Sequence, residues 1–314
     1  SPEKGGNFVD CTFGGGGYSE ELLKFPNTKV TALDRDKFAA EKANKISKKH
    51  LGRFSFYNEK FSNLDKILEG KDKVDTIIFD LGMSLFQLKD LSRGFSFKSN
   101  NKIDMNMGLS LISAEEVLNN FDENSLKLII KILGEEKESA KIVNNILKAR
   151  EVKNISKVPE LVEIIKNSKR KNFSKKINIC TKTFQALRIF VNKETTELIE
   201  GIIKATKLIK IGGKIIIISF HSIEDKIVKF YFKNYSENNL KPSRYLPEEK
   251  VKKLIFFKEK KNNLIRPTER EIKENPPSRS AKLRFVTRNE KTFEEPMVFR
   301  KKFKKYLDLE GLNV

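Results

Sequence analysis

Tryptophan is absent from the 314 residues, and cysteine and histidine occur only twice each. Cys11 and Cys180 lie far apart in the chain, and only His50 and His221 could join them at a metal. Because a structural zinc site needs four closely spaced ligands of these types, we expect no metal site. Two widely spaced cysteines also fit a reducing compartment, so we expect a cytoplasmic location.

Long apolar runs are also missing. The longest candidate, Ile215 to Phe220, has the length of a strand, whereas a membrane helix needs about 20 apolar residues. We therefore expect no membrane association. The chain begins with Ser1 rather than Met and enters the apolar pair Phe8-Val9 without a charged-then-apolar leader, so we expect the natural N-terminus to be missing.

Positive charge is abundant. The 63 lysines and arginines exceed the 42 acidic residues and give a formal net charge of +21. Such a charge favours a polyanionic partner, such as nucleic acid or an anionic membrane, although a biased genome composition gives the same excess. Clusters at Lys169–Lys176, Lys250–Lys261 and Arg300–Lys305 are interleaved with Phe or Ile, a mixture that suits contact with phosphates.

Short apolar runs alternate with helical patterns at the start of the chain. The strand-like runs are 8–11, 30–33, 54–57 and 75–81, and the helical stretches are 18–25, 37–49 and 64–68. Strands separated by helices pair in parallel through right-handed crossovers. The pattern therefore predicts an α/β fold with a doubly wound, Rossmann-like sheet.

The pattern changes after Asp104. Helical periodicity without an intervening strand covers residues 114–118, 126–133, 140–147 and 161–165. We infer an inserted all-helical domain that ends near Cys180. The β-branched run 214–220 is typical of a buried parallel strand, so the sheet resumes there. The predicted organisation is a sheet domain in two parts, residues 1–105 and 182–314, with the helical insert at 106–181.

Two local predictions concern the last part of the chain. Ser222 and Asp225 form an S-x-x-D capping box, which predicts a helix that begins after Ser222. The segment 281–285 alternates apolar and basic residues like a strand with one buried face, and we expect it to pair antiparallel with 254–257. The proline-containing stretch between them is predicted to be a loop.

Four consecutive glycines, Gly14 to Gly17, follow the first predicted strand and precede a helix. Backbone amides of such a turn can approach a ligand because no Cβ intervenes. A nucleoside triphosphate loop requires Gly-Lys-Ser/Thr at its end, and no lysine follows. The NAD fingerprint requires a third glycine that here falls on Ser19 or Glu20, which favours S-adenosylmethionine over NAD. A plain tight turn is the structural alternative.

Acidic residues follow two of the predicted strands. Asp34 lies 20 residues after Gly14, a spacing that NAD and S-adenosylmethionine sites share for the acid that binds ribose. Asp80 ends the fourth strand, and open α/β sheets bind ligands beyond the carboxyl ends of their strands. For Asp80 the alternative is a solvated cap. His221 is either a base or a hydrogen-bonded turn residue.

Several motifs recur in order along nearly the whole chain. They are Val9-Asp10-Cys11-Thr12-Phe13-Gly14-Gly15-Gly16-Gly17-Tyr18-Ser19, Asp80-Leu81-Gly82-Met83-Ser84, Arg93-Gly94-Phe95-Ser96-Phe97, Thr183-Phe184-Gln185-Ala186-Leu187-Arg188, Ser219-Phe220-His221-Ser222-Ile223-Glu224-Asp225 and Asn275-Pro276-Pro277-Ser278-Arg279-Ser280. This ordered set resembles the RsmH (MraW) family of bacterial small-subunit (16S) ribosomal RNA cytidine methyltransferases.

The resemblance implies a Rossmann-like methyltransferase that uses S-adenosylmethionine to methylate N(4) of a cytidine in the decoding region of the RNA. The implied cofactor contacts are Gly16, Gly17, Tyr18, Asp34, Phe61, Asp80 and Gln87. The chain departs from the family pattern at Tyr18, where histidine is usual, and at Leu85-Phe86, where Ser-Pro is more typical.

We expect Asp80 to accept the proton that the cytidine amine loses, with Asp104 and His221 as further candidates. The expected partner is the small-subunit ribosomal RNA or the ribosomal subunit. Two other classes stay open: a non-catalytic, rRNA-binding assembly factor on the same fold, and an NAD-dependent oxidoreductase.

Overall fold

The computed structural model describes residues 1–169, 178–237, 254–258 and 264–312. The chain divides into two compact units. The first unit comprises Ser1–Gly82 and Glu197–Lys302, and the second comprises Met83–Thr196 and Phe303–Val314. The domain boundaries predicted after residues 105 and 181 stay a prediction.

A seven-stranded sheet forms the centre of the first unit. Its strands are β1 (Gly6–Asp10), β2 (Thr28–Leu33), β3 (Phe54–Tyr57), β4 (Val74–Asp80), β5 (Ile209–Ser219), β6 (Leu264–Ile265) and β7 (Lys282–Thr287). They lie in the order β3-β2-β1-β4-β5-β7-β6. The first five are parallel, and β7 runs antiparallel to both of its neighbours. The predicted α/β, Rossmann-like sheet is therefore confirmed.

Helices connect the strands and form most of the second unit. In the described residues they are α1 (Gly17–Leu23), α2 (Ala39–Lys49), α3 (Leu64–Ile67), α4 (Leu85–Lys89), α5 (Ala114–Asn120), α6 (Glu123–Leu133), α7 (Ser139–Val152), α8 (Val158–Ser168), α9 (Thr181–Asn192), α10 (Glu194–Leu208), α11 (Ser222–Asn234), α12 (Glu269–Glu274) and α13 (Met297–Glu310). Among these helices, none combines the length and the apolar character that a membrane crossing requires.

Burial on both faces of the central strands explains why the first unit folds as a layered sheet. On β4 the consecutive residues Ile77, Ile78 and Phe79 are all buried, and on β5 so are Ile217 and Ile218. Runs of this kind, apolar on both faces, are typical of parallel strands covered by helices on both sides. On one side α2 contributes Ala39, Ala43 and Ile46, spaced along one helix face, to a core cluster with Phe8, Phe13, Leu23, Val30, Ala32 and Phe54.

The second unit has a helical core. Leu126, Ile129, Ile130 and Leu133 line the buried face of α6 with the 3.6-residue period that the sequence predicted. The irregular segment before α5 hydrogen-bonds within this unit, since the Val158 amide donates to the Asn101 carbonyl oxygen at 3.0 Å. The all-helical character predicted for 114–165 is therefore confirmed.

Three local predictions were wrong. Strand β7 pairs with β5 and β6 rather than with residues 254–257, because its backbone lies beside the isoleucine-rich strand β5. Among the described residues of that segment, Phe257 forms only isolated bridges, to Ser236 and Arg288. His221 rather than Ser222 is the N-cap of α11, because Glu224 reaches back to the His221 amide. The predicted proline loop contains α12 and a 3-10 turn at Pro276–Ser280.

Candidate active site

The strand order of the first unit reverses between β1 and β4, where the two strands run parallel and adjacent. Asp10 is the last residue of β1 and Asp80 the last residue of β4. In open parallel sheets the crevice beyond the carboxyl ends at such a reversal is the usual place for a ligand. Two carboxyl groups therefore lie at the ligand-binding position of this fold.

The glycine turn is packed on one side and open on the other. Gly16 adopts a left-handed φ of +80°, and a Cβ there would lie 2.8 Å from Phe13 Cζ and 2.9 Å from Ile46 Cδ1. In contrast, a Cβ added at Gly15 or Gly17 would meet no described atom within 4 Å. Only glycine fits the closed side at Gly16, and the open side leaves room for a ligand to approach the backbone.

Asp34 holds the turn against the end of β2. Its Oδ2 accepts a hydrogen bond from the Gly14 amide at 2.7 Å, and its Oδ1 accepts one from the Asp36 amide at 2.8 Å. Burial raises the pKa of this carboxyl, while the two amide hydrogen bonds favour its charged form. The acid predicted at the second strand thus lies beside the glycine turn.

Asp80 faces other acidic groups in a poorly solvated place. Burial, Asp10 and Glu224 raise its pKa to about 6, and a hydrogen bond with the Tyr18 side chain opposes this shift. Within the described residues, the buried Oδ1 of Asp80 has no hydrogen-bond partner. Buried carboxylate oxygens without a hydrogen-bond partner are rare in folded proteins, and a bound ligand that donates a hydrogen bond would account for this one.

Tyr18 lies on the first turn of α1 with 40% of its surface exposed. Burial of its hydroxyl and the charges of Asp80 and Asp10 hold the pKa of Tyr18 well above its ordinary value, so the hydroxyl stays protonated. It therefore donates to the Asp80 carboxylate. Where the family pattern has histidine, this chain has a neutral donor at neutral pH.

Asp10, which sequence reasoning missed, is the most buried acid of the site. Its side chain is fully buried, and its Oδ2 accepts a hydrogen bond from Ser19 Oγ at 2.8 Å. Thr12, two residues further on, accepts a hydrogen bond from the Asp80 amide through its Oγ1 at 2.7 Å. The only signal in the sequence was its position at the end of a strand, which Asp80 shares.

Phe61 packs in the same unit against the sheet. Its ring contacts Phe79 edge-on with the centroids 5.3 Å apart. Gly201 of α10 allows this approach, since a Cβ there would lie 2.6 Å from the Phe61 ring. Sequence reasoning alone gave Phe61 the role of an ordinary core residue, and these contacts agree with a packing role.

His221 interacts with Glu224. Its Nδ1 accepts from the Glu224 amide at 3.5 Å, and its Nε2 lies 3.0 Å from Glu224 Oε1. The Oε2 atom of Glu224 accepts from the Phe220 amide at 2.8 Å and from the His221 amide at 3.2 Å. These contacts close the start of α11, which is the role of a hydrogen-bonded turn residue.

Gln87 and Asp104 belong to the second unit. Gln87 forms a capping box with Ser84 at the start of α4. The backbone N–H of Gln87 donates to Ser84 Oγ at 3.3 Å, and the side-chain Oε1 of Gln87 accepts from the backbone N–H of Ser84 at 2.9 Å. Burial raises the pKa of Asp104, and the Arg93 guanidinium opposes that rise. The Asp104 carbonyl oxygen accepts from the Ala114 amide at 2.8 Å, so the backbone of this residue also holds the first residue of α5.

Most of the predicted basic clusters lie outside the described residues: 170–176 of the first, and 250–253 and 259–261 of the second. In the third cluster, Arg300 donates to both carboxylate oxygens of Glu200, at 2.9 and 2.6 Å, and also pairs with Glu295. Arg300 is therefore held by carboxylates and is a poor candidate for phosphate contact.

Comparison with known proteins identifies the family. The model of the MraW methylase family matches residues 1–289. This chain belongs to the MraW methylase family. The assignment confirms the resemblance inferred from the motifs, and it makes S-adenosylmethionine the cofactor rather than NAD, which sets the oxidoreductase alternative aside.

Two relatives that align over more than nine tenths of their own length carry the same name. The chain is 41% identical to ribosomal RNA small subunit methyltransferase H of Ehrlichia ruminantium (strain Welgevonden) over 292 residues, which cover 91% of this chain and 94% of that protein. It is also 39% identical to the protein of the same name from Rickettsia africae (strain ESF-5). That alignment of 286 residues covers 90% of this chain and 92% of that protein.

Solved structures give weaker matches. An rRNA methylase from Streptococcus thermophilus is 12% identical, with a TM-score of 0.39 over 91% of this chain and 88% of that chain. The N-methyltransferase NodS from Bradyrhizobium japonicum WM9, solved with S-adenosyl-L-homocysteine, is 8% identical, with a TM-score of 0.33 over 91% of this chain and 77% of that chain. Scores this low add nothing to the fold seen directly.

Proposed function

We propose that the protein transfers the methyl group of S-adenosylmethionine to the exocyclic N(4) amine of a cytidine in the decoding region of small-subunit ribosomal RNA. The name of its full-length relatives supports the RNA substrate, and the net charge of +21 suits a polyanion. The observation that carries the chemistry is the buried Asp80 Oδ1, which has no hydrogen-bond partner among the described residues and belongs to a carboxylate hydrogen-bonded to Tyr18, the residue after the glycine turn. Such a substrate agrees with the predicted cytoplasmic location.

The residues of the turn fit the cofactor. The open side at Gly15 and Gly17 lets the backbone approach the methionine part, and Asp34 has acceptor capacity left for ribose hydroxyls after its two amide hydrogen bonds. We assign cofactor binding to Gly16, Gly17, Tyr18, Asp34 and Asp80, and, on the family resemblance alone, to Phe61 and Gln87. When bound, S-adenosylmethionine supplies a methyl group that its sulfonium has already activated.

The chain must then orient a weak nucleophile, since the lone pair of the cytosine amine is delocalised into the ring. Holding amine and methyl in line is worth up to about 7 to 11 kcal/mol of the barrier. Asp80, with a pKa of about 6, is ionised at neutral pH and accepts an amine proton through its free Oδ1. Asp104 and His221 are the other candidate acceptors, and His221 is the weaker because Glu224 engages its ring.

A substitution at Asp80 tests this assignment. Asp80→Asn keeps the shape and should abolish methyl transfer, because the amide cannot accept the proton as a carboxylate does. Labelled S-adenosylmethionine is incubated with small subunits that lack the modification, and the labelled nucleotide is mapped. Asp75→Asn is the matched control, because Asp75 lies on the same strand and accepts from the Asn7 amide at 2.7 Å, remote from the carboxyl end.

Calorimetry with S-adenosyl-L-homocysteine separates binding from chemistry. Asp80→Asn transferring at a near wild-type rate while binding normally would refute the proton-acceptor role. Label on a position other than cytidine N(4) would refute the proposed specificity. No label from the unaltered chain would favour the non-catalytic assembly factor instead.

A further inference from the structure

A partly buried chain of hydrogen bonds joins the ends of β1 and β4 to the helix that follows the glycine turn. Asp10 Oδ2 accepts from Ser19 Oγ at 2.8 Å, and Asp10 Oδ1 accepts from the Thr12 amide at 3.3 Å. Thr12 Oγ1 in turn accepts from the Asp80 amide at 2.7 Å. Asp10, Ser19 and Thr12 thus connect α1, the turn and the end of β4.

We infer that Asp10 is a positioning residue for methyl transfer: through Thr12 and Ser19 its buried carboxyl fixes Asp80 relative to the glycine turn. The inference rests on the proposed function, in which Asp80 is the proton acceptor. Both carboxylate oxygens of Asp10 accept hydrogen bonds from its own unit, so it acts on the reaction through Asp80 rather than by contact with substrate.

The groups around Asp80 come from three neighbouring elements. Asp10 faces it from β1, Tyr18 from α1 and Glu224 from α11. The two carboxylates disfavour ionisation of Asp80, while the Tyr18 hydroxyl favours it. Burial raises the pKa of Asp10 itself to about 6; its hydrogen bonds with Ser19 and Thr12 oppose this shift, and Asp34, which follows β2, adds to it. Removing the charge of Asp10 therefore makes Asp80 easier to ionise.

The charge and the hydrogen-bond bridge can be removed separately. Asp10→Asn removes the charge and keeps the size of the side chain. Thr12→Val keeps the charge of Asp10 and removes the oxygen that accepts from the Asp80 amide, whereas Thr12→Ser restores that oxygen. Ser19→Ala is the milder substitute should Asp10→Asn fold poorly, because losing this donor favours the protonated form of Asp10.

The direct measurement is a carboxyl-carbon NMR titration of the ligand-free chain, labelled at aspartate Cγ, with the Asp80 signal assigned by its loss in Asp80→Asn. We expect Asp10→Asn, and Ser19→Ala to a smaller extent, to move the Asp80 midpoint from about 6 toward the ordinary value of 3.8. Thr12→Val should leave the midpoint in place but lower the rate of methyl transfer about tenfold, as for a lost hydrogen bond, and Thr12→Ser should recover it.

Asp75→Asn is again the control, because it removes a carboxylate charge at the amino ends of β1 and β4, where Asp75 accepts from the Asn7 amide, and should leave the Asp80 midpoint unchanged. The inference is overturned if Asp10→Asn leaves the midpoint at the wild-type value, if Asp75→Asn moves it equally, or if Thr12→Val transfers at the wild-type rate. Failure of the unaltered chain to methylate would refute the proposed function, whereas the midpoints would still decide the coupling of the two carboxyls.

Discussion

Two adjacent glycines allow folding and cofactor binding to be separated in the glycine turn. At Gly16 an alanine would occupy a left-handed backbone, which costs about 1–2 kcal/mol, and its Cβ would press on Phe13 and Ile46, which adds about 1–3 kcal/mol. We therefore expect Gly16→Ala to lower the free energy of unfolding by roughly 2–5 kcal/mol.

Gly17→Ala should do the reverse. Gly17 is the first residue of α1, outside the left-handed region, and its added Cβ meets no described atom within 4 Å. The free energy of unfolding should stay the same or rise by up to about 1 kcal/mol, because alanine reduces the freedom of the unfolded chain. The new methyl group would fill the space assigned to the cofactor, so affinity for S-adenosyl-L-homocysteine should fall at least about tenfold, or 1.4 kcal/mol.

Urea unfolding followed by circular dichroism gives the stabilities, and isothermal titration calorimetry gives the affinities. The assignment of the open side to the cofactor fails if Gly17→Ala binds as tightly as the wild type. The packing argument fails if Gly16→Ala is as stable as the wild type. An equal loss of stability in both variants would contradict the difference between the two sides of the turn.

Two further predictions concern the partly buried Asp225 and the buried Glu310, away from the turn. Asp225 pairs with Lys282 and with the buried Arg284, both at 2.8 Å. Asp225→Asn should therefore lower the free energy of unfolding in urea by about 3 kcal/mol, because it leaves Arg284 unpaired. A decrease below about 0.5 kcal/mol would contradict this. Glu310 accepts from the Thr196 amide at 2.8 Å, and burial raises its pKa from 4.5 to about 7, so the folded state binds the proton more tightly than the unfolded state. Its contribution to the free energy of unfolding should therefore fall by up to about 3 kcal/mol as the pH rises from about 4.5 to 7. Urea unfolding at about pH 5 and about pH 8 measures this: the wild type should lose this contribution between the two pH values, and Glu310→Gln should not.

The strands were predictable because their signal is local. The apolar run at 54–57 coincides with β3, and the runs at 30–33 and 75–81 fall within two residues of β2 and β4. Each of these runs is buried on at least one face whatever its neighbours are, so composition alone marks it. The partner of β7 was not predictable in the same way, because alternation at 281–285 shows that one face is buried but not which strand lies beside it.

The site was predicted in part for a related reason. Gly16 and Asp34 could be located by spacing, since the turn and the second strand are close in sequence. Asp10 was missed because its burial depends on Ser19 and on strand β4, which only the folded chain brings together. His221 was misjudged at the helix start because Ser is the commoner N-cap, whereas here the imidazole accepts the amide hydrogen bond.

The position of β5 within the sheet also bears on how the chain avoids self-association. Its four consecutive isoleucines, 215–218, are of the uncharged, β-branched kind that assembles into intermolecular sheets when left unpaired. In the folded unit both sides of this strand are paired, by β4 and β7, and the sheet ends in the short strands β3 and β6, of four and two residues. Short edge strands offer little backbone for another chain to extend. The segment that forms β7 lies more than 60 residues further along the chain than β5. One edge of the isoleucine strand therefore stays unpaired during folding until that segment docks, and in this interval aggregation competes with folding.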